Sequence, residues 1–212
     1  MNQVTTISFD MEGTLIDHVY SRQIWEVDIP NLYGEVHHIG FEEAKRYVQA
    51  EYSAIGEGDP KWYDVGYWWN KFDLHGDWRE LTILRKPYCN IFPDTVRVLN
   101  KLKDSYTLVV TSNTIREFLD VQIKCIGHRF SHVFSAPSDF KAVKKSSEFY
   151  ARILTELDIQ PQNMIHIGDH RQFDYLAPRT LGVRAFLLDR SGSQKDEDVV
   201  CSLDEFVEQL NR

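Results

Sequence analysis

The sequence predicts a doubly wound α/β fold with a mainly parallel sheet, interrupted near its start by an all-helical insert. Three observations predict it. From Ile91 onward, short β-branched apolar runs alternate with amphipathic helical periods, the rhythm of strand–helix–strand units. A further run, Val4 to Phe9, stands apart at the N-terminus and is apolar enough to be covered on both faces. Between these regions, residues from about His18 to Lys86 carry helical periods and no buried-strand signal. The expected organisation is a core of residues 1–17 and 87–212 with a helical insert over 18–86.

Bulk properties narrow the class. With 212 residues, 42% hydrophobic and 26% charged, the chain can bury a sizeable core, and its composition favours neither disorder nor a membrane protein. No apolar run approaches the roughly 18 to 20 residues of a spanning helix. No basic segment followed by an apolar stretch opens the sequence, so no secretory signal is expected. Cys89, Cys125 and Cys201 lie far apart and give neither zinc spacing nor a disulfide framework, which points to a reducing, cytoplasmic setting. The net charge of −8 argues against general nucleic-acid binding. Neither nucleic acid nor membrane is an expected partner.

The elements follow in order. In the insert, Ser21 to Trp25 reads as a short helix ended by Pro30, and Phe41, Ala44, Val48 and Tyr52 recur at helical spacing. Gly56 to Pro60 signals a turn, Lys61 to Phe72 reads as a third helix, and Asp77 caps a fourth over Trp78 to Leu84. All five tryptophans fall in this segment, where they either build a small helical core or line a pocket. In the second half, Pro93-Asp94 opens a helix carrying Val96, Leu99 and Leu102. Thr107 to Val110 is a strand ending in Thr111-Ser112-Asn113, and a helix with Phe118, Val121, Ile123 and Cys125 follows. His132 to Phe134 is a short strand, and Ser138 to Lys145 is polar and basic. Ser147 caps a helix through Leu157. Met164 to Ile167 is a strand ending in Gly168-Asp169, Phe173 to Leu181 is helical despite Pro178, Arg184 to Leu188 is a strand, and Leu203 to Leu210 is a final helix.

Three strands thus end in chemically capable groups: Asp10 with Glu12, Thr111 with Ser112, and Asp169. In a parallel sheet these ends share one edge, the edge where open α/β sheets bind ligands. Each group has a plainer reading. Thr111 can merely finish a strand, Lys144 has Lys141 and Lys145 beside it in a solvated basic run, and Asp169 and Asp174 can be loop and cap carboxylates. His166 and His170 straddle a strand end, which argues against a zinc pair. The convergence of two carboxylates, a hydroxyl and a lysine-bearing loop favours a site.

Taken together the residues resemble the haloacid dehalogenase superfamily of phosphatases and related hydrolases. Asp10-Met11-Glu12-Gly13-Thr14 after a strand is similar to its Asp-x-Asp-Gly-Thr motif, and Val109-Val110-Thr111 to its second motif. Lys144-Lys145-Ser146-Ser147-Glu148-Phe149-Tyr150 resembles its lysine motif, and Gly168-Asp169 with Asp174 its last one. The resemblance spans Val4 to Leu188, in the family's order. It implies a Rossmann-like core, a helical cap over 18–86 hinged near Asp17 and Pro87, and a Mg²⁺-dependent phosphomonoester hydrolase acting on a small phosphorylated metabolite. Asp10 would be the nucleophile and Glu12 the general acid–base. Thr111 would hold phosphoryl oxygens with Ser112, Asn113 and nearby backbone N–H groups, and Lys144 would offset charge. Asp10, the backbone carbonyl of Glu12 and Asp169 would ligate Mg²⁺, with Asp174 behind them or reached through water. In the cap, Arg22, Arg46, Lys61 and His37-His38 either reach an anionic substrate or are exposed helix charge.

Two departures stand out. Glu12 replaces the usual second aspartate, which lengthens the proton donor by a methylene, and Lys145 replaces the usual proline of the third motif. Glutamate at position 12 resembles the enolase-phosphatase branch in that pentapeptide alone, and a carboxylate there argues against the dehalogenase and phosphonatase branches. Two other readings stay open: a sugar-phosphate mutase using the same aspartyl-phosphate, and a catalytically idle member that binds a metabolite or partner.

Overall fold

The computed structural model describes residues 3–127, 130–194 and 196–210. Six strands form one parallel sheet: β1 (Thr6–Phe9), β2 (Thr107–Ser112), β3 (His132–Ser135), β4 (Met164–Gly168), β5 (Arg184–Leu188) and β6 (Val199–Val200). Their order is β3-β2-β1-β4-β5-β6, and every pairing is parallel. The direction of winding reverses beside β1, between the β2 and β4 ladders, so the ends of β1 and β4 flank the crevice where such sheets bind ligands. The two-residue strand β6 falls outside the sequence expectations, since two valines are too short a run to register as a strand.

Although all four β1 residues are buried, β1 keeps a period of two. Ile7 and Phe9 join the larger core, with Leu99, Leu119 and Phe206 from helices on one face. Ser8 looks to the other face, where its hydroxyl meets the His166 ring 2.9 Å away. Asp10, two residues beyond Ser8, falls on this polar face. The core on that face is built from Val109, Phe149, Tyr150 and Ile153.

The insert begins with helix α1 (Val19–Arg22), which runs through a wide π-helical turn over Gln23–Asp28 into α2 (Ile29–His37). Pro30 therefore does not end the first helix. The ladder changes register just before it, with Ile29 N–H donating to the Ile24 carbonyl, so the missing proline donor falls where the backbone is already rewinding. Helix α3 (Phe41–Ile55) buries Ala44 and Val48. The single helix expected over Lys61 to Phe72 is instead a 3₁₀ turn, Pro60–Tyr63, and helix α4 (Val65–Lys71). Asp64 parts them because its carboxylate caps Tyr67 N–H at 2.9 Å, taking extended backbone to do so. Asp77 caps α5 (Trp78–Leu84) through Arg79 N–H. The insert buries Tyr20, Trp68, Trp69 and Trp78 against one another and against Ile115, Phe118 and Val121. Those last three lie outside the insert, so its core is shared with the sheet's own helical layer.

Helix α6 (Thr95–Leu102) buries Val98 rather than the expected Val96, and α7 (Arg116–Ile126) follows β2. Helix α8 (Ala136–Phe140) occupies part of the expected polar run after β3. Helix α9 (Ser147–Glu156) is capped by Ser146, one residue before the expected cap. After β4, a π-helical turn (Arg171–Leu176) leads into α10 (Ala177–Arg179), and α11 (Leu203–Leu210) closes the described chain. No helix among the described residues is long and apolar enough to cross a membrane.

Candidate active site

Asp10 occupies the first position beyond β1, and its N–H donates to the Ile167 carbonyl of β4 at 2.9 Å. The chain then turns at Gly13 with φ of 85°, a conformation that suits glycine. A Cβ there would overlap the Asp169 carboxylate, and one on Gly168 would overlap Asp174. Both glycines let carboxylates crowd against backbone. Asp10 is 6% exposed. Lys145 Nζ donates to one of its oxygens at 2.5 Å and Thr14 Oγ1 to the other at 3.2 Å.

The lysine at the site is therefore Lys145, and the expectation for Lys144 is corrected. Ser146 caps α9, and the Lys145 N–H is pinned by Asn113 Oδ1 at 2.8 Å. That register aims the Lys145 side chain down the polar face of β1, where its Nζ also meets Asp174 and the Thr111 carbonyl. Lys144 turns away, pairing with exposed Glu57 of the insert at 2.9 Å and lying over the Phe173 ring.

Asp174 is almost wholly buried and fully engaged. One oxygen takes Lys145 and sits 3.0 Å from His166 Nε2, and the other accepts from His170 N–H at 3.0 Å. The His166 ring continues this chain to Ser8 and approaches the Tyr150 hydroxyl at 3.1 Å. Thr111 also belongs to it, because its buried hydroxyl lies 3.1 Å from Ser8 Oγ. Ser112 Oγ accepts from Thr114 N–H at 3.1 Å. Thr111, Ser112 and Asn113 are thus all at the expected edge, with Thr111 tied below it and Asn113 holding the lysine loop.

Electrostatics follow from this crowding. Burial, aided by Asp174 and Asp169, pushes Asp10 up to about 8 despite the opposing pull of Lys145. Burial also pushes Asp174 upward, but Lys145 and His166 outweigh it and hold that carboxyl well below its usual range. The His166 ring is pushed down by burial. Asp10, Asp169 and Asp174 can each bring one carboxylate oxygen within 4.8 Å of the others. An all-oxygen donor set of this kind, undercompensated by a single lysine, suits a hard divalent cation.

Glu12 faces the opposite way, toward the insert. Gln122 Nε2 donates to one of its oxygens at 2.6 Å and Ser21 Oγ to the other at 2.9 Å. His18 stands between Glu12 and Asp169, at 3.8 and 3.7 Å, and these carboxylates raise it to about 10, the Asp169 interaction first. His18, Ser21 and Gln122 were outside the expected site residues; no motif marks them, and their role comes from the insert folding back onto Glu12. A cleft of about 630 Å³ opens beside Glu12, between the insert and α7. Trp25 and Trp62 line it, while Trp68, Trp69 and Trp78 are core. Arg22, Arg46, His37 and His38 are exposed, and Lys61 lies over the Tyr67 ring.

A profile of the haloacid dehalogenase-like hydrolases matches residues 4–182. The chain belongs to this family of hydrolases. It is 31% identical over 87 residues to haloacid dehalogenase-like hydrolase domain-containing protein 3 of Danio rerio, a match covering 38% of this chain and 36% of that protein. It is 28% identical over 102 residues to the GMP/IMP nucleotidase YrfG of Escherichia coli, covering 48% of this chain and 45% of that one. The matched stretches thus span less than half of these relatives' lengths. Among solved structures, the fold is similar to a HAD phosphatase from Thermococcus onnurineus, with a TM-score of 0.85 at 19% identity over 98% of both chains. It is also similar to a 2-haloacid dehalogenase from Pseudomonas syringae, with a TM-score of 0.71 at 18% identity over 99% of both.

Proposed function

We propose that this haloacid dehalogenase-like hydrolase cleaves phosphomonoesters of small metabolites in the cytoplasm, through an aspartyl-phosphate on Asp10 and with Mg²⁺. The observation that carries the reading is the Asp10 carboxylate itself, buried at the switch point of the sheet, gripped by Lys145 and Thr14 and faced by Asp169 and Asp174. Asp10, the backbone carbonyl of Glu12 and Asp169 would hold the metal. Asp174, with both oxygens engaged, would act from behind them. Bound there, Mg²⁺ supplies positive charge that offsets the approach of a phosphate dianion to a carboxylate.

Asp10 attacks phosphorus as the bond to the leaving oxygen breaks, and Glu12 delivers the proton that oxygen takes up. Glu12 then takes a proton from water, the water oxygen attacks phosphorus, and the bond to Asp10 breaks to free phosphate. Lys145 partly offsets the charge of Asp10 in the resting site and that of the transferring group in the transition state. Backbone N–H groups beside Thr111 would hold the phosphoryl oxygens. The E. coli relative's name refers to small phosphorylated substrates, which agrees with this class.

The insert over 18–86 is proposed to act as a cap. Its two linkers run side by side: Ile16 bridges Ile91, Asp17 N–H donates to the Asn90 carbonyl at 3.0 Å, and Asn90 Nδ2 donates to Asp17 at 3.0 Å. Such a paired stem lets both ends of the insert swing together. The deciding experiment is hydrolysis of an aryl phosphate with and without Mg²⁺, coupled to mass-spectrometric trapping of a fluoride adduct or phosphoryl group at Asp10. Metal-dependent release lost in Asp10→Asn supports the proposal. Metal-dependent release retained in that variant refutes it.

A further inference from the structure

We infer that the substrate's leaving group is uncharged and carries a flat aromatic ring, held in the cleft between the insert and α7. The inference rests on the hydrolase reading above in one respect: the acid that protonates the leaving oxygen marks where the leaving group lies. Glu12 is that acid, and its carboxylate lines the cleft rather than the Asp10 side of the site.

The chemistry of the cleft selects what enters. Trp25, Tyr52 and Trp62 supply its walls, with Trp25 edge-on to Tyr52 at 5.7 Å and Tyr52 edge-on to Trp62 at 6.1 Å between ring centroids. Phe118 of α7 braces Trp25 at 6.2 Å. Trp25 and Trp62 are each only half-buried and so keep ring area against which a flat guest can pack. Among the described residues that line the cleft there is no lysine, arginine or histidine, whereas Glu12 and Glu26 both do. A second phosphate or a carboxylate on the leaving group would find no cation in the lining, since His18 behind Glu12 is already paired with Glu12 and Asp169, and would meet the Glu26 carboxylate. Gln49 and Ser53, on α3 with Tyr52, add neutral polar groups to the lining. The volume of about 630 Å³ lies within the range of small-molecule pockets, roughly 300 to 1,000 Å³.

A nucleoside 5′-monophosphate and a simple aryl phosphate both fit this chemistry, and the test separates them. With Mg²⁺ present, kcat/KM is measured for the four common nucleoside 5′-monophosphates, phenyl phosphate, ribose 5-phosphate and 3-phosphoglycerate. The best nucleotide should exceed ribose 5-phosphate, which has the same alkyl leaving oxygen, by at least about tenfold, as stacking on an aromatic side chain allows. Phenyl phosphate counts as stacked only by the advantage that the Trp62 variants remove, and 3-phosphoglycerate should be poorest. Nucleotide above phenyl phosphate identifies a nucleoside, and the reverse a small aryl group. In Trp62→Ala and in the bulkier Trp62→Leu the aromatic preference should shrink at least fivefold. Ribose 5-phosphate or 3-phosphoglycerate matching the best aromatic ester overturns the inference while leaving the hydrolase reading intact. If no ester is cleaved, the hydrolase reading fails and calorimetry decides the cleft. Nucleoside or phenol binding that weakens at least fivefold in the Trp62 variants then supports the inference, and no binding to the wild type overturns it.

Discussion

Two buried carboxylates sit about the same sheet and meet opposite fates. Asp94, at the start of α6, is gripped by both Nη atoms of Arg190 at 3.1 Å and caps Leu203 N–H at 2.9 Å. Burial pushes its carboxyl upward, but the guanidinium and the amide outweigh that and leave it below the usual range. Arg190 itself reaches the Thr14 carbonyl at 2.7 Å and lies over the Phe92 ring. Asp10 has one lysine to share with Asp174, and Asp169 adds to the load, so burial wins and its carboxyl rises to about 8. The first arrangement is saturated and ties α6, α11 and the β1 loop together. The second lacks positive charge, and that deficit is what a bound cation can fill.

The contrast can be broken from either side. The largest effect belongs to Asp10→Asn, which should lower turnover by at least ~10⁴-fold, as loss of a nucleophile does. The same change should raise the melting temperature of metal-free protein. Asp10 is raised above its unfolded value near 3.8, so its contribution to stability is full below about pH 4 and is lost as pH rises through about 8. The gap in melting temperature between variant and wild type should therefore widen from pH 4 to pH 8. A constant gap would mean that Asp10 is not frustrated.

Next, Lys145→Met should cut kcat/KM by ~10²- to 10³-fold, the usual cost of one electrostatic contact to the reacting group. Asp94→Asn should cost about 3 kcal/mol in urea unfolding, since it leaves a partly buried guanidinium without its carboxylate, and should lower kcat far less than Lys145→Met. Because Asp94 is held below its unfolded value, its contribution is present above about pH 4 and fades as pH falls below that, the reverse of Asp10. The smallest effect is expected for Lys144→Ala. Its pairing with Glu57 is largely solvated, and kcat/KM should change by less than about twofold. A loss with Lys144→Ala comparable to that with Lys145→Met would return the site to the other lysine.

What the sequence disclosed follows the strength of each local signal. The strands around the site are apolar runs that stop at polar residues, so the parallel sheet and the edge carrying Asp10, Asp169 and Asp174 are readable directly, whereas the strand order that makes the switch point is not. The lysine is not, because Lys144-Lys145-Ser146-Ser147 offers two lysines and two caps in succession with no proline to fix the register. A one-residue slip of the cap from Ser147 to Ser146 moves the site lysine with it. Thr111 shows the same sensitivity: its alternation along β2 places the hydroxyl against Ser8, a pairing only the β1–β2 register reveals. Around Glu12, the partners Ser21 and Gln122 lie 9 and 110 residues away, and no spacing rule connects them. The π-helical turn before Pro30 is invisible too, because a proline in a helical pattern reads as a stop until the backbone shows how it is accommodated.

The stem formed by Ile16 with Ile91 and Asp17 with Asn90 has a consequence for how such a protein can be remodelled. Because the chain leaves the core and returns to it at one point, a tight hairpin joining positions 17 and 90 would close the backbone of the core without distorting β1. The obstacle is chemical rather than geometric. Ile115, Phe118 and Val121 lie under the insert, and removing it would bare a greasy stripe on α7 that invites self-association. A minimal version of this scaffold therefore requires three polar replacements, on α7 and the residue before it, before it requires anything of the loop.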